Sequence, residues 1–305
     1  SRNMYFGKVH KFTPTYEIGV MKINNRASLY EDRSQTTNDL LELTANYNTT
    51  IKNDHNLAVL LGISQEENKY EDLNTTGYKF ENNEMDNMGH AQEDFSSGGS
   101  ETRSGLRSLF GRVNYNWKMR YMLMASFRYD GSSRFAEGNK WGFFPSVSLG
   151  WNIANEEFWE RFKETVSMFK LRLSYGALGN QQIGLYKYIP TLSYNTNGLN
   201  YPFGGMDTSI GYARTSFPSD NIKWETTYYK NIGLDVNLWN NKLELSAEAY
   251  IKDTQDMLSR RNISLATGFT PSLLVNDGKL RTTGFEFQAI YHGNVGEFKY
   301  DLDLN

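Results

Sequence analysis

Apolar and polar residues alternate with a period of two along most of this chain, the signature of strands, whose successive side chains point to opposite faces. The alternation predicts strands over Leu40–Ile51, where Leu41, Leu43, Ala45, Tyr47, Thr49 and Ile51 share a face, and over Leu57–Ile63. Further strands are expected over Gly105–Trp117, Tyr121–Asp130, Phe143–Ile153, Phe169–Ala177, Trp224–Leu238, Leu243–Ile251, Phe285–Tyr291 and Phe298–Asn305. In the 143–153 run one face is apolar to its ends and the other is small and polar apart from Phe144. Asn155–Glu164 reads as one or two helical turns, with Asn155 as N-cap and two glutamates in the first turn. Residues 1–39 read as loop with one candidate strand near Ala27–Asp32. Long loops are expected at 67–104, 179–222 and 256–279, where Asn, Gly, Ser and Glu or Tyr accumulate.

The connections sort by side. Those at 52–56, 118–119, 239–241 and 293–296 are tight and fall, with the helical 154–167, on one side of the sheet; those at 67–104, 131–141, 179–222 and 256–279 fall on the other. Outer-membrane barrels sort their loops this way, short to the periplasm and long to the outside. Aromatics sort too: Trp117, Tyr121, Trp151, Trp239 and Tyr291 stand beside the short turns, and Tyr129, Phe143, Tyr175 and Trp224 near the long loops. Tyr121 and Tyr129 are eight residues apart, which is roughly 20 Å of height on a tilted strand and close to the apolar band of a barrel. The fold class is therefore all-β, an antiparallel transmembrane barrel wall of about ten strands.

Composition narrows the chemistry. The mean hydropathy of −0.62 would suggest a soluble chain, but averaging over both strand faces hides an apolar outer surface. A formal charge of −3 gives no footprint for nucleic acid, and the absence of Cys removes disulfides and thiolate sites. The four histidines lack metal-ligand spacing, and no phosphate-cradling or nucleophile motif occurs. Glu225, Asp235, Glu244, Glu248 and Glu286, with Lys170, Arg172, Lys252 and Arg128 among them, are expected to line a hydrated lumen and pair across strands. No metal, cofactor or catalytic residue is expected. Tyr186, Tyr188, Tyr194, Tyr201, Phe203 and Tyr212, in the longest loop, are the candidate ligand-binding residues, because aromatic faces stack on sugar rings and apolar side chains.

Six ordered motifs carry a family resemblance. They are D-G-S-S-R-F at 130–135, W-G-F-F-P-S-V-S-L-G-W at 141–151, L-R-L-S-Y-G-A-L-G-N-Q at 171–181, I-K-W-E-T-T at 222–227, N-I-G-L-D at 231–235 and T-G-F-E-F at 283–287. In this order they resemble the SusC/RagA family of TonB-dependent outer-membrane transporters, well over 105–300 and more loosely over 40–66. The resemblance makes Asp130, Gly131, Arg134, Trp141, Pro145, Trp151, Trp224 and Glu225 structural signature positions. It implies a 22-stranded barrel of which these residues form a C-terminal part. It also implies import of oligosaccharides or peptides, a SusD-like surface lipoprotein partner, surrounding outer-membrane lipid, and a TonB complex engaged through an N-terminal part lying before these residues. Two alternatives stand beside this reading: another outer-membrane barrel, such as a siderophore receptor or porin, and a soluble β-rich carbohydrate-binding or hydrolytic domain.

Overall fold

The computed structural model describes residues 1–19, 22–194, 201–202, 208–209, 211–214, 218–264 and 272–305. In chain order the strands are β1 (Arg2–Thr13), β2 (Tyr16–Ile18), β3 (Lys22–Asn24), β4 (Ser28–Ile51), β5 (His55–Tyr78), β6 (Glu93–Trp117), β7 (Tyr121–Ser132) and β8 (Trp141–Asn152). They continue with β9 (Val166–Asn180), β10 (Leu192–Tyr194), β11 (Tyr201–Pro202), β12 (Thr208–Ser209), β13 (Tyr212–Arg214), β14 (Glu225–Leu238), β15 (Leu243–Asn262), β16 (Ser272–Val295) and β17 (Phe298–Leu304). Eleven of them form one sheet in the order β1-β4-β5-β6-β7-β8-β9-β14-β15-β16-β17, and β2-β3, β10-β13 and β11-β12 are separate two-stranded ladders. Every long strand therefore pairs with the next long strand in sequence, the up-and-down order expected of a barrel wall. The sheet has one strand more than the alternation shows: β1 lies where residues 1–39 read as loop.

Contacts divide the chain into two units, residues 1–41 with 65–106, and 42–64 with 107–305. In the second unit the registers explain the alternation. Tyr121, Trp151, Leu171, Leu234, Ala247 and Phe287 are successive partners across β7, β8, β9, β14, β15 and β16, and Leu123, Leu149, Leu173, Ile232, Ala249 and Phe285 form the next such row on the same face. Between them, on the opposite face, run Met122, Gly150, Arg172, Gly233, Glu248 and Glu286. A one-residue slip in any strand would exchange the two faces, so a lipid-facing side on one and water on the other fixes the register. Leu149, Leu173, Ile232 and Phe285 accordingly remain exposed in the isolated chain.

The short connections are true hairpin turns. Lys52 and Asn53, Lys118 and Met119, and Trp239, Asn240 and Asn241 all take positive φ, the conformation that matches the twist of two antiparallel strands. The 153–165 connection holds two 3-10 segments, Ile153–Asn155 and Glu157–Phe162. Asn155 is not the N-cap expected: Glu156 occupies that position without a side-chain cap bond, and the Asn155 amide donates to the Met119 carbonyl at 2.9 Å.

The first unit corrects the reading of 67–104 as loop. β5 continues to Tyr78 and β6 begins at Glu93, leaving only 79–92 between them. Polar composition misleads here because a strand in water needs its backbone ladder and cross-strand polar partners, not an apolar face. Lys69 pairs with Glu71 and, at 3.8 Å, with Glu101; Arg103 reaches Glu101 at 2.6 Å and holds that carboxyl below the usual carboxylate range. Ser100 donates to Asp72, and Gly99 lies so close to the Asp72 carbonyl that a side chain there would sit 2.5 Å away. Likewise β1 pairs along its whole length with Ser28–Asp39, and the Arg2 guanidinium forks onto Asp39 at 2.6 and 2.8 Å. Ala27, Leu29 and Phe80 form this unit's core, with Phe12 edge-on to Phe80 at 5.2 Å. The 256–279 segment is corrected in the same sense, since β15 runs to Asn262 and β16 starts at Ser272.

Candidate functional site

The long-loop rim of the second unit is organised by the 130–141 hairpin. Asp130, buried at the end of β7, accepts from Arg128 Nε and Nη2 at 3.2 and 3.1 Å, which aims the same guanidinium at Ser108 of β6, 3.0 Å away. Gly131 is required by close approach: a Cβ there would lie 2.7 Å from the Trp141 ring, which stacks on Tyr129 at 4.8 Å. Pro145 pairs with Phe127 inside the wall. The loop between β7 and β8 then reaches across to the chain that follows β9. Arg134 Nη1 donates to the Ile183 carbonyl at 2.6 Å, and Asn139 donates to the Asp220 carbonyl at 3.1 Å.

Trp224 closes this arrangement. It stands at the long-loop rim as expected, and it is 6% exposed and turned inward, 5.2 Å from both Phe135 and Phe144. Its indole N–H donates to the Lys140 carbonyl at 3.0 Å. Phe144, the one large side chain on the polar face of β8, fits because Gly142 and Gly179 leave room; a Cβ on either would fall within 2.5 Å of its ring. The two glycines and a lone Phe among small polar residues were the sequence signal for this cluster. Ile183 and Ile222, in the chain between β9 and β14, are also buried.

The other residues of the I-K-W-E motif tie the rim to β15 and β16. Lys223 Nζ pairs with Asp256 at 2.9 Å, and Asn276 exchanges bonds of 2.9 Å with the Lys223 backbone while donating to the Asp256 carbonyl at 2.7 Å. Glu225 accepts from the Asn180 amide at 3.2 Å and from the Leu258 backbone N–H at 3.0 Å. That bond lands where β15 bulges between Thr254 and Leu258, with Asp256 at positive φ. A bulge leaves ladder groups unpaired, and Glu225 satisfies one of them.

Between the two anchored ends lie the candidate ligand residues. Tyr212 is 69% exposed and Tyr186 is also exposed, while Tyr188 is half-buried. Tyr194 and Tyr212 are register partners in the β10-β13 ladder, and Tyr201 opposes Ser209 in β11-β12. Phe203 lies outside the described residues. The backbone thus places Tyr194 directly opposite Tyr212.

Below the rim, the cross-strand pairing expected of the luminal charges is present at Arg172. Arg172 forks onto Asp235 at 2.8 and 2.9 Å, approaches Glu248 at 3.5 Å, and lies over Gly233, where a Cβ would meet its guanidinium at 2.8 Å. Asn231 donates to Glu248, and Ser246 to Asp235 at 3.0 Å. Such groups balance one another and line a polar wall. Among the described residues, no group of three or more His, Asp or Glu is spaced to hold a metal ion.

At the short-turn rim, Tyr115, His55, Trp117, Tyr121 and Trp151 form a continuous run of stacked rings with centroids 5.6–6.2 Å apart. Glu156 fastens its end, accepting from Trp151 Nε1 at 3.0 Å and from the Tyr121 hydroxyl, with Arg120 3.4 Å away. These bonds to the ionised form hold its carboxyl below the usual range.

The sequence model of a family described as TonB dependent receptor-like, beta-barrel matches residues 5–305. TonB-dependent receptor P3 of Formosa agariphila is 34% identical over 92% of this chain and 27% of its own length. TonB-dependent receptor SusC of Bacteroides thetaiotaomicron is 38% identical over 67% of this chain and 20% of its own length. The chain spans only about a quarter of these curated relatives. Among solved structures, the RagAB peptide importer in its closed-closed state superposes with a TM-score of 0.84 at 21% identity, covering 99% of this chain and 34% of that one; this likeness shows a shared fold. A soluble carbohydrate-binding or hydrolytic domain is thereby set aside, and the chain belongs to the SusC/RagA family of TonB-dependent receptors, as part of an outer-membrane β-barrel of a Gram-negative bacterium.

Proposed function

We propose that this chain forms part of the wall and outer rim of an importer that takes up oligosaccharides or peptides in a TonB-dependent manner, together with a SusD-like surface lipoprotein. The rim carries the reading: Arg134, Asn139 and Trp224 fix both ends of the 181–224 segment to one hairpin, so its tyrosines are presented from an anchored base. A preorganised base lowers the ordering cost of capturing ligand. A peptide cargo is consistent with the structural neighbour described as a peptide importer, and an oligosaccharide cargo with the exposed tyrosines of the rim. The wall contributes a polar passage and performs no covalent chemistry in this scheme.

Calorimetry on the intact receptor with its lipoprotein, titrated with defined oligosaccharide and oligopeptide panels, tests it. One class is expected to bind, and Tyr186→Ala combined with Tyr212→Ala to weaken binding about tenfold, the worth of two aromatic contacts. Absence of binding by both classes, or unchanged affinity in the double variant, would overturn the proposal.

A further inference from the structure

The lipid-facing side of β8, β9, β14 and β15 is not smooth. Leu149, Leu173, Tyr175, Ile232, Ala249 and Ile251 line a groove of about 500 Å³. It exists because Ala249 stands in register between Ile232 and Phe285, a small side chain in a row of large ones. A second apolar hollow of about 430 Å³ shares Leu149 and Leu173 with it and ends at Trp151 and Tyr121 of the short-turn girdle. From Tyr175 to Leu171 the joined hollows run four residues along β9, about 13 Å.

The groove's other end is charged. Lys230 lines it beside Tyr175 and Ile251. In the adjoining row Tyr228, Asp253 and Arg281 are successive partners across β14, β15 and β16. Arg281 donates to Asp253 from Nε at 2.5 Å and Nη2 at 3.1 Å, and Lys230 Nζ lies 3.9 Å from the same carboxylate. Asp253 is 14% exposed at its side chain, against 55% for Lys230 and 69% for Arg281. One sheltered carboxylate thus orients two cations whose remaining N–H donors face outward, leaving a net positive charge. Its position is the side of the long loops, level with the stacked Tyr175 and Tyr228 rings, where lipid headgroups of the outer leaflet lie.

We propose that this face binds a phosphorylated, multi-acyl glycolipid of the outer leaflet, its phosphate on Lys230 and Arg281 and one acyl chain in the groove over Ala249. Charge complementarity selects the occupant. A plain apolar chain would fill the groove without using the cations, and a second copy of this wall would bring cation against cation.

The test is native mass spectrometry of the intact receptor purified in mild non-ionic detergent, as wild type, as K230Q/R281Q and as Ala249→Trp. Wild type is expected to retain one phosphoglycolipid. Each cation near an anionic headgroup is worth roughly fivefold, so K230Q/R281Q is expected to bind that lipid about 30-fold more weakly while retaining zwitterionic phospholipid unchanged. Ala249→Trp should displace the lipid with both cations in place, and enzymatic removal of the phosphate should abolish competition for the wild-type site. Equal retention by wild type and K230Q/R281Q would overturn the proposal. So would equal competition by the dephosphorylated lipid, or a lipid-free dimer as the retained species. Heat-induced mobility shift on electrophoresis confirms that each variant is folded, and the dephosphorylation arm uses wild type alone, so misfolding of a variant does not blunt the test.

Discussion

The two rims of the wall formed by residues 42–64 and 107–305 are held by different physics. At the short-turn rim the chain reverses within two or three residues of positive φ, and flat rings from neighbouring strands stack side by side. Contacts there are between sequence neighbours in the sheet and their apolar faces are completed by the bilayer. At the long-loop rim, segments up to 84 residues apart are fastened by directional bonds to backbone carbonyls and by the buried Trp224, Phe135 and Phe144. The first arrangement orients a barrel in a membrane. The second gives the long loops an anchored footing in water, where the bilayer can supply nothing.

Breaking the long-loop rim should have the largest effect. Trp224→Ala removes a buried aromatic and opens a cavity beside Phe135 and Phe144; a loss of about 3–5 kcal/mol in local stability is expected. Limited proteolysis should then cut within 181–224 while the strands stay protected. Protection equal to wild type would mean the loops are anchored elsewhere. Next comes Arg134→Met, which leaves the Ile183 carbonyl without its charged donor at about 1–3 kcal/mol; hydrogen exchange should accelerate at 181–190 and not at 121–129.

Effects at the short-turn rim should be smaller. Glu156 has its carboxyl pKa lowered by bonds from Tyr121 and Trp151, so its contribution is fully present above the unfolded value and is lost as pH falls below about 4.5 through the lowered folded value. Tryptophan fluorescence of the folded receptor is expected to shift over that acid range in wild type and to lack the step in Glu156→Gln. Smallest of all, Met119→Gly relieves a left-handed non-glycine residue and should stabilise by roughly 0.5 kcal/mol, read as a slight rise in Tm. A fall would show that the Met119 side chain, not the turn's backbone, matters there.

This contrast also separates what was legible from what was not. The girdle could be read directly, because Trp117, Tyr121 and Trp151 stand at strand ends beside turns whose spacing gives their side of the membrane. Trp224 is legible as a residue of the long-loop rim, but its inward turn is not, since the strand β14 begins only at Glu225 and no alternation governs the residue before it. Polar segments of β5 and β6 have the sequence character of loop because the pattern that reveals a strand is a difference between two faces, and in water both faces are polar. The bulge at Asp256, bridged by Glu225 and Asn276, has no local signature at all.

The strand period, the face that meets lipid, the side that bears the long loops and the family are all written in local order and spacing along the chain. That Arg134 reaches Ile183, that Trp224 turns inward over Phe144, and that Lys230 and Arg281 share Asp253 at the mouth of an apolar groove emerge in three dimensions alone. These depend on register between strands far apart in sequence, and register is set by the whole sheet rather than by any one strand.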